Sequence, residues 1–272
     1  MSKATVGFCG LGAMGMGMAT HLIKQGYSVK GFDVFPAAVQ KFEAAGGKGA
    51  SSLADSANGA SVYICMVANN IQAQQALFDA EDTIVTSLPK GAVLCLASTV
   101  SATFVKQVKA QLDKMGRSDV LFVDCPVSGG AARSAKGDLT IMAGADPEAI
   151  AAAEPILKEC SGPGLLFIVE GGLGQGSNMK MCHQVLAAVH ILSTGEAYGL
   201  GAMLGLEAQE LHNRIIESDA WTWMFENRSP RVLAQDFVPG VSALTIIKKD
   251  SVSVHPSSSF RMHALAQVAK MT

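Results

Sequence analysis

TVGFCGLGAMGMGMATHLIKQGYSVKGFD, residues 5–33, is the stretch that decides the fold. A short β-prone run, TVGFC, ends in GLGAMG, which sets Gly10, Gly12 and Gly15 in GxGxxG spacing; a helix-like run follows, and then a second strand, SVKGFD. Strand, glycine loop, helix and strand together form the context in which this spacing has a physical meaning. Gly10 permits the tight turn, Gly12 lets backbone approach a pyrophosphate, and Gly15 allows the helix to pack closely on the strand. Leu11, Ala13 and Met14 complete the loop and the helix start, where free amides and the helix dipole favour an anion. Asp33 stands at the end of the second strand, 18 residues after Gly15, where a carboxylate can accept from ribose hydroxyls. It would also repel a 2′-phosphate, so NAD is expected rather than NADP. The plainer reading of Asp33 is a turn residue closing the strand, and of the glycines, turn formers alone.

Working outward, β-branched and apolar runs recur as SVYICMV, AVLCLAS, VLFVDCPV and DLTIMAG, most of them separated by helix-like segments such as PAAVQKFEAAGG. Alternation of this kind predicts a parallel sheet covered on both faces, an α/β doubly wound Rossmann domain. After LLFIVE the rhythm changes. From about Gly174 to Leu204 there is no proline and apolar residues recur at helical spacing, which predicts one long helix of roughly 45 Å at 1.5 Å per residue. EAQELHNRIIES, AWTWMFENRSPRVL and SALTIIKKDSVSV also read as helical, with loops at Pro230, Pro239 and Pro256. The division is therefore an NAD-binding domain over 1–173 and an all-helical domain over 174–272, the latter built around the long helix. A helix so long and apolar must be covered on several sides, by a neighbouring domain or a second subunit.

The 272 residues include 21 basic and 23 acidic ones, scattered, for a net charge of −2. No basic patch marks a nucleic-acid or membrane partner, so a small-molecule ligand is the expectation. The N-terminus lacks the features of a signal peptide and no apolar run reaches membrane-spanning length, which gives the cytosol as the default compartment. Six widely spaced cysteines without a CxxC pair are expected to be reduced core residues, with no disulfide and no metal.

Two further sites lie at predicted strand ends. Thr99, closing AVLCLAST, is a candidate contact on the nicotinamide side, or else a capping hydroxyl. Ser128, Gly129 and Gly130 follow the strand VLFVD, and two glycines after a serine leave backbone amides uncovered, which suits a small carboxylate. The alternative is a tight strand-to-helix turn.

GLGAMGMGMATHL, DCPVSGGAARSAKGDLTIMAG, GQGSNMKMCHQ and IIKKD, in this order, resemble the β-hydroxyacid dehydrogenase family over essentially the whole chain. That resemblance implies a Rossmann domain followed by a helical domain built on an interdomain helix, and homodimers or homotetramers formed through the helical part. It also implies that Lys180, the lysine of GQGSNMK, is the catalytic residue. Chemistry agrees, because alcohol oxidation needs a group that holds the oxygen and exchanges its proton while hydride goes to nicotinamide, and an ammonium of lowered pKa does both. The alternative for a lysine there is a side chain that snorkels to water. His183 and Gln184, three and four residues on, share the helical face of Lys180 and are candidate substrate contacts.

Most family members carry asparagine where this chain has His183, and KMCHQVLAAVHI and WTWMFENRSPRVL are similar to the L-threonate dehydrogenase branch. An imidazole fits a more hydroxylated substrate. Lys249 of the KD pair corresponds to the family's cofactor-facing lysine, with Lys248 as the alternative. The expected activity is transfer of a hydride from L-threonate or a related four-carbon sugar acid to NAD. The alternatives are 3-hydroxyisobutyrate dehydrogenase, tartronate semialdehyde reductase, or a catalytically silent dinucleotide-binding scaffold.

Overall fold

A computed structural model describes residues 3–79 and 83–236. The first half alternates as β1 (Thr5–Cys9), α1 (Ala13–Lys24), β2 (Ser28–Phe32), α2 (Pro36–Ala44), β3 (Lys48–Gly49), α3 (Leu53–Ala57), β4 (Val62–Cys65), α4 (Asn70–Gln74), α5 (Ile84–Ser87), β5 (Val93–Leu96), α6 (Ala102–Lys114) and β6 (Leu121–Asp124). These six strands form one sheet in the order β3-β2-β1-β4-β5-β6, with every pairing parallel. The order reverses between β1 and β4, the switch point of a doubly wound fold.

Local chemistry explains the elements. β4 and β5, VYIC and VLCL, are buried along their whole length because helices cover both faces of the sheet. Ser52, Asn69, Thr83 and Ser101 each accept an amide from the first turn of the helix they precede, satisfying a donor that would otherwise lack a partner. One core layer centres on Val6, Phe8, Leu22 and Phe42, the other on Tyr63, Leu77, Leu94 and Leu112.

The continuation departs from the expectation of one parallel sheet. β7 (Val127–Ser128), α7 (Gly130–Ser134), β8 (Leu139–Ala143), α8 (Pro147–Cys160) and β9 (Ser161–Ile168) follow. DLTIMAG supplies β8, which lies at the centre of a separate three-stranded sheet, antiparallel to β7 and parallel to β9. The Asp124–Gly144 bridge and the Val127–Ile141 and Ser128–Thr140 pairs keep one antiparallel register, so β7 continues the direction of β6 and the chain reverses only through α7 into β8.

α9 (Gln175–Met203), α10 (Ala208–Ile216) and α11 (Trp223–Leu233) complete the described chain. α9 is the expected long helix, 29 residues. Its buried positions include Ser177, Lys180, Ala187, Thr194 and Tyr198, at successive intervals of three, four or seven residues, so one stripe of the helix is packed. Pro230 was expected to end a helix and instead lies inside α11. Phe225, stacked between Tyr198 at 5.6 Å and His212 at 5.9 Å, anchors the first turns of α11, and the Ser229 hydroxyl donates to the Phe225 carbonyl. Packing outweighs the one backbone bond that proline removes. SALTIIKKDSVSV, with Lys248 and Lys249, and Pro239 and Pro256 lie outside the described residues.

The chain divides into two compact units, Met1–Lys180 and Met181–Thr272. Among the described residues, no helix is long and apolar enough to cross a membrane. Five cysteines are buried in the core, as their apolar surroundings predict; Cys182 is an exception, exposed on α9.

Candidate active site

The loop after β1 is held from both sides at the switch point. The Gly10 amide donates to the Phe32 carbonyl (3.0 Å) and the Met66 amide to the Cys9 carbonyl (2.9 Å). Gly10 has φ +87°, and a Cβ there would lie 2.1 Å from the Met66 carbonyl oxygen, so the turn admits glycine alone. A Cβ on Gly15 would come within 1.8 Å of the Gly10 oxygen. Gly12 differs, since a Cβ there would meet nothing within 4 Å. Gly12 is also the N-cap of α1 and offers no side chain to its first amides. Open space before uncapped amides is what an approaching pyrophosphate needs.

Asp33 is drawn into the same loop. Its Oδ2 accepts the Leu11 amide at 2.7 Å and its Oδ1 the Phe35 amide at 2.9 Å. The carboxylate thereby fixes the glycine loop and keeps lone pairs for ribose hydroxyls. A groove of about 420 Å³ beside the loop is lined by Leu11, Gly12, Ala13, Lys41 and Ala131, among others. At the end of β5, Thr99 is half-buried, while its neighbour Ser98 does the structural work: the Ser98 hydroxyl is buried, accepts the Val67 amide at 2.9 Å and ties the loops after β4 and β5.

The second motif sits beside the first. Ser128 ends β7 in register with Thr140. Gly129 and Gly130 take φ of +143° and +74°. A Cβ on Gly129 would lie 2.9 Å from Leu139 and 3.0 Å from Arg133, so the turn that opens α7 requires glycine. α7 packs on α1 through the Ser134 hydroxyl, which donates to the Met14 carbonyl at 2.6 Å. A Cβ on Gly17 would fall 2.6 Å from that hydroxyl oxygen. The dinucleotide loop and the serine–glycine turn are thus joined by one tight helix contact.

Lys180 lies on the packed stripe of α9 and is 4% exposed, which removes the snorkelling alternative. The stem and head of this lysine are inside the protein. His183 and Gln184 follow by about one turn, half-buried, with His183 Nδ1 and Gln184 Oε1 3.0 Å apart. Lys249 lies outside the described residues.

A residue that the sequence reading missed connects these parts. Asp124, the last residue of β6, is fully buried; its Oδ2 accepts the Ser177 amide at 2.7 Å and its Oδ1 the Ser177 hydroxyl at 2.6 Å. Burial pushes its carboxyl up to about 6, and the bonds from Ser177 and the Gly174 backbone hold it from rising further. The signal was an acid closing the apolar run VLFVD, since aspartate is almost never buried without partners. Among the described residues no cluster of His, Cys, Asp and Glu could hold a metal ion.

Comparison with known proteins places this geometry. Residues 5–171 match the family described as the NAD binding domain of 6-phosphogluconate dehydrogenase. Residues 174–271 match the NAD-binding family of NADP-dependent 3-hydroxyisobutyrate dehydrogenase. An L-threonate dehydrogenase from Cupriavidus necator is 36% identical over 245 residues, covering 90% of this chain and 80% of that protein. The human mitochondrial 3-hydroxyisobutyrate dehydrogenase is 35% identical over 241 residues, covering 89% of this chain and 70% of that one. A crystal structure of 3-hydroxyisobutyrate dehydrogenase from Salmonella typhimurium superposes with a TM-score of 0.87 at 30% identity, covering 98% of this chain and 92% of that one. The chain belongs to the β-hydroxyacid dehydrogenase family, near its L-threonate branch, and is an NAD-dependent oxidoreductase of small hydroxy acids.

Proposed function

We propose that the protein oxidises L-threonate, or a related four-carbon sugar acid, at the carbon bearing the hydroxyl next to the carboxylate. The observation that carries this reading is the burial of Lys180 on α9, in the same compact unit as the glycine loop and the Ser128–Gly130 turn. The bound nicotinamide supplies the hydride acceptor. Gly10 to Gly15 admit the pyrophosphate, Asp33 accepts from the ribose and disfavours a 2′-phosphate, and Thr99 faces the nicotinamide side. Lys249 is assigned to the cofactor through its match to the family's KD pair. Amides of the Ser128, Gly129 and Gly130 turn anchor the substrate carboxylate. Lys180 Nζ holds the substrate hydroxyl and exchanges its proton as the carbon loses hydride. His183 and Gln184 bond further hydroxyls, which is the feature that favours a sugar acid over 3-hydroxyisobutyrate.

In this reading residues 1–173 bind the cofactor and 174–272 serve substrate binding and assembly. Exposed Leu186, Leu200 and Met203 on α9 support a homodimer or homotetramer, since apolar surface gathered on one helix marks an interface. The free thiols support a cytosolic location.

The test is NADH formation from NAD with L-threonate, D-threonate, the erythronates, 3-hydroxyisobutyrate and glycerate. Turnover highest with a four-carbon sugar acid is expected. Turnover confined to 3-hydroxyisobutyrate would overturn the substrate assignment and the role of His183.

A further inference from the structure

Asp124 and Ser177 are 53 positions apart in sequence, yet the carboxylate of one receives both donors of the other. The start of α9 is seated on the same spot by backbone. Asp124 and Gly144 exchange two backbone bonds, of 3.1 and 2.8 Å. A Cβ on Gly176 would lie 2.4 Å from the Met142 oxygen and 2.7 Å from the Asp124 oxygen, and one on Gly144 would lie 2.8 Å from the Gly176 amide nitrogen. Glycines at both places let the first turn of the helix rest directly on the strand ends. Ser177 precedes Lys180 by three residues, so the two lie one above the other on the buried stripe of α9. Asp124 precedes Ser128 by four residues in the segment DCPVS.

We infer that Asp124 is a positioning residue: by gripping Ser177 it fixes the first turn of α9 against the strand end that leads to Ser128, and so sets the Lys180 amine relative to the substrate's carboxylate anchor. This rests on Lys180 and the Ser128–Gly130 turn having the roles proposed above. The grip acts through Lys180 and does not touch substrate. Its loss therefore lowers the rate of the chemical step more than it weakens binding of acid or dinucleotide, because misplacement by about 1 Å costs up to roughly 100-fold in rate.

Turnover is measured for the wild type, Asp124→Ala, Asp124→Asn, Ser177→Ala and Lys180→Ala, with NAD affinity by fluorescence titration and amide exchange over residues 176–181. For Asp124→Ala the expected result is kcat lower by roughly 10- to 100-fold, KM and NAD affinity held within about 3-fold, and faster exchange at 176–181. Asp124→Asn should recover most of kcat, because its amide oxygen accepts the Ser177 N–H and its NH2 can donate to the hydroxyl. Ser177→Ala, which keeps the backbone bond, should fall between. Unchanged kcat in Asp124→Ala beside an inactive Lys180→Ala would overturn the inference and leave the catalytic reading standing. Full turnover by Lys180→Ala would overturn that reading instead. A folded Asp124→Asn as slow as Asp124→Ala would show that charge, not grip, matters, and would also overturn it. Should Asp124→Ala not fold, an unchanged kcat in Ser177→Ala decides against the grip. With no acid turned over, unaltered exchange at 176–181 does the same.

Discussion

Replacing Asp124 with Asn should remove a pH dependence of stability that the burial of this one carboxyl imposes. Its carboxyl ionises at about 6 in the folded protein against an ordinary 3.8, raised chiefly by burial. The folded state therefore holds this proton over a range in which the unfolded chain has lost it. Stability falls as pH rises wherever the folded state binds more protons. Asp124 accordingly costs nothing below about pH 3.8, costs progressively more up to about pH 6, and costs a constant amount above that. At 1.36 kcal/mol for each pH unit, the full amount is about 3 kcal/mol, of which about 2.5 falls between pH 4 and 7. Other carboxylates act in the opposite sense. Lys30, Lys109 and Arg117 hold Asp55, Asp113 and Asp119 below the ordinary value, so these contribute stability that is lost as pH falls. The assay must therefore compare the two proteins at each pH. Urea melts of the wild type and Asp124→Asn from pH 4 to pH 7 should show the variant gaining about 2.5 kcal/mol on the wild type across the range. In a thermal melt the same gain is roughly 5–10 °C. A constant difference between the two proteins, whatever its size, would refute the reasoning, because it would mean that this carboxyl ionises at the same pH in the folded and the unfolded chain.

The loop glycines and Asp33 give the remaining predictions. Gly12→Ala should leave the melting temperature within about 1 °C, since its Cβ meets no atom, while lowering NAD affinity at least ~10-fold by filling the space needed by the pyrophosphate. Gly15→Ala should lose both, because its Cβ falls on the Gly10 carbonyl; calorimetry and NAD titration of the pair separate the two roles. Asp33→Asn should narrow the preference for NAD over NADP by roughly 10-fold in kcat/KM, and an unchanged ratio would confine Asp33 to its bonds with the Leu11 and Phe35 amides.

The dinucleotide fold was legible because its signals are local. GLGAMG between TVGFC and SVKGFD specifies a turn, a helix start and a strand within a few residues, and Gly10, Gly12 and Gly15 occupy the three environments their spacing implied. Length and period were enough for α9. What escaped depended on partners far along the chain. DLTIMAG has the composition of a central strand and is one, but of a different sheet, and pairing partners are not written in a strand's own residues. Pro230 lies inside α11 because Phe225 is stacked between two rings from other helices. Asp124 drew no reading in the sequence, because its partner Ser177 is 53 positions away and only the fold brings the two together. Within the candidate site, Lys180 was recognised through its motif, whereas its burial depends on tertiary structure.

The central claim is that the buried lysine of α9 performs the proton exchange in an NAD-dependent oxidation. Its most direct test is Lys180→Ala, with NADH formation measured on the best acid of the panel and NAD affinity measured on the same preparation. Removing a positioned acid–base group should lower kcat by about 10²- to 10⁴-fold while NAD binds as before. Turnover within a few fold of the wild type, with NAD bound equally well, would contradict the account and move the catalytic role away from Lys180.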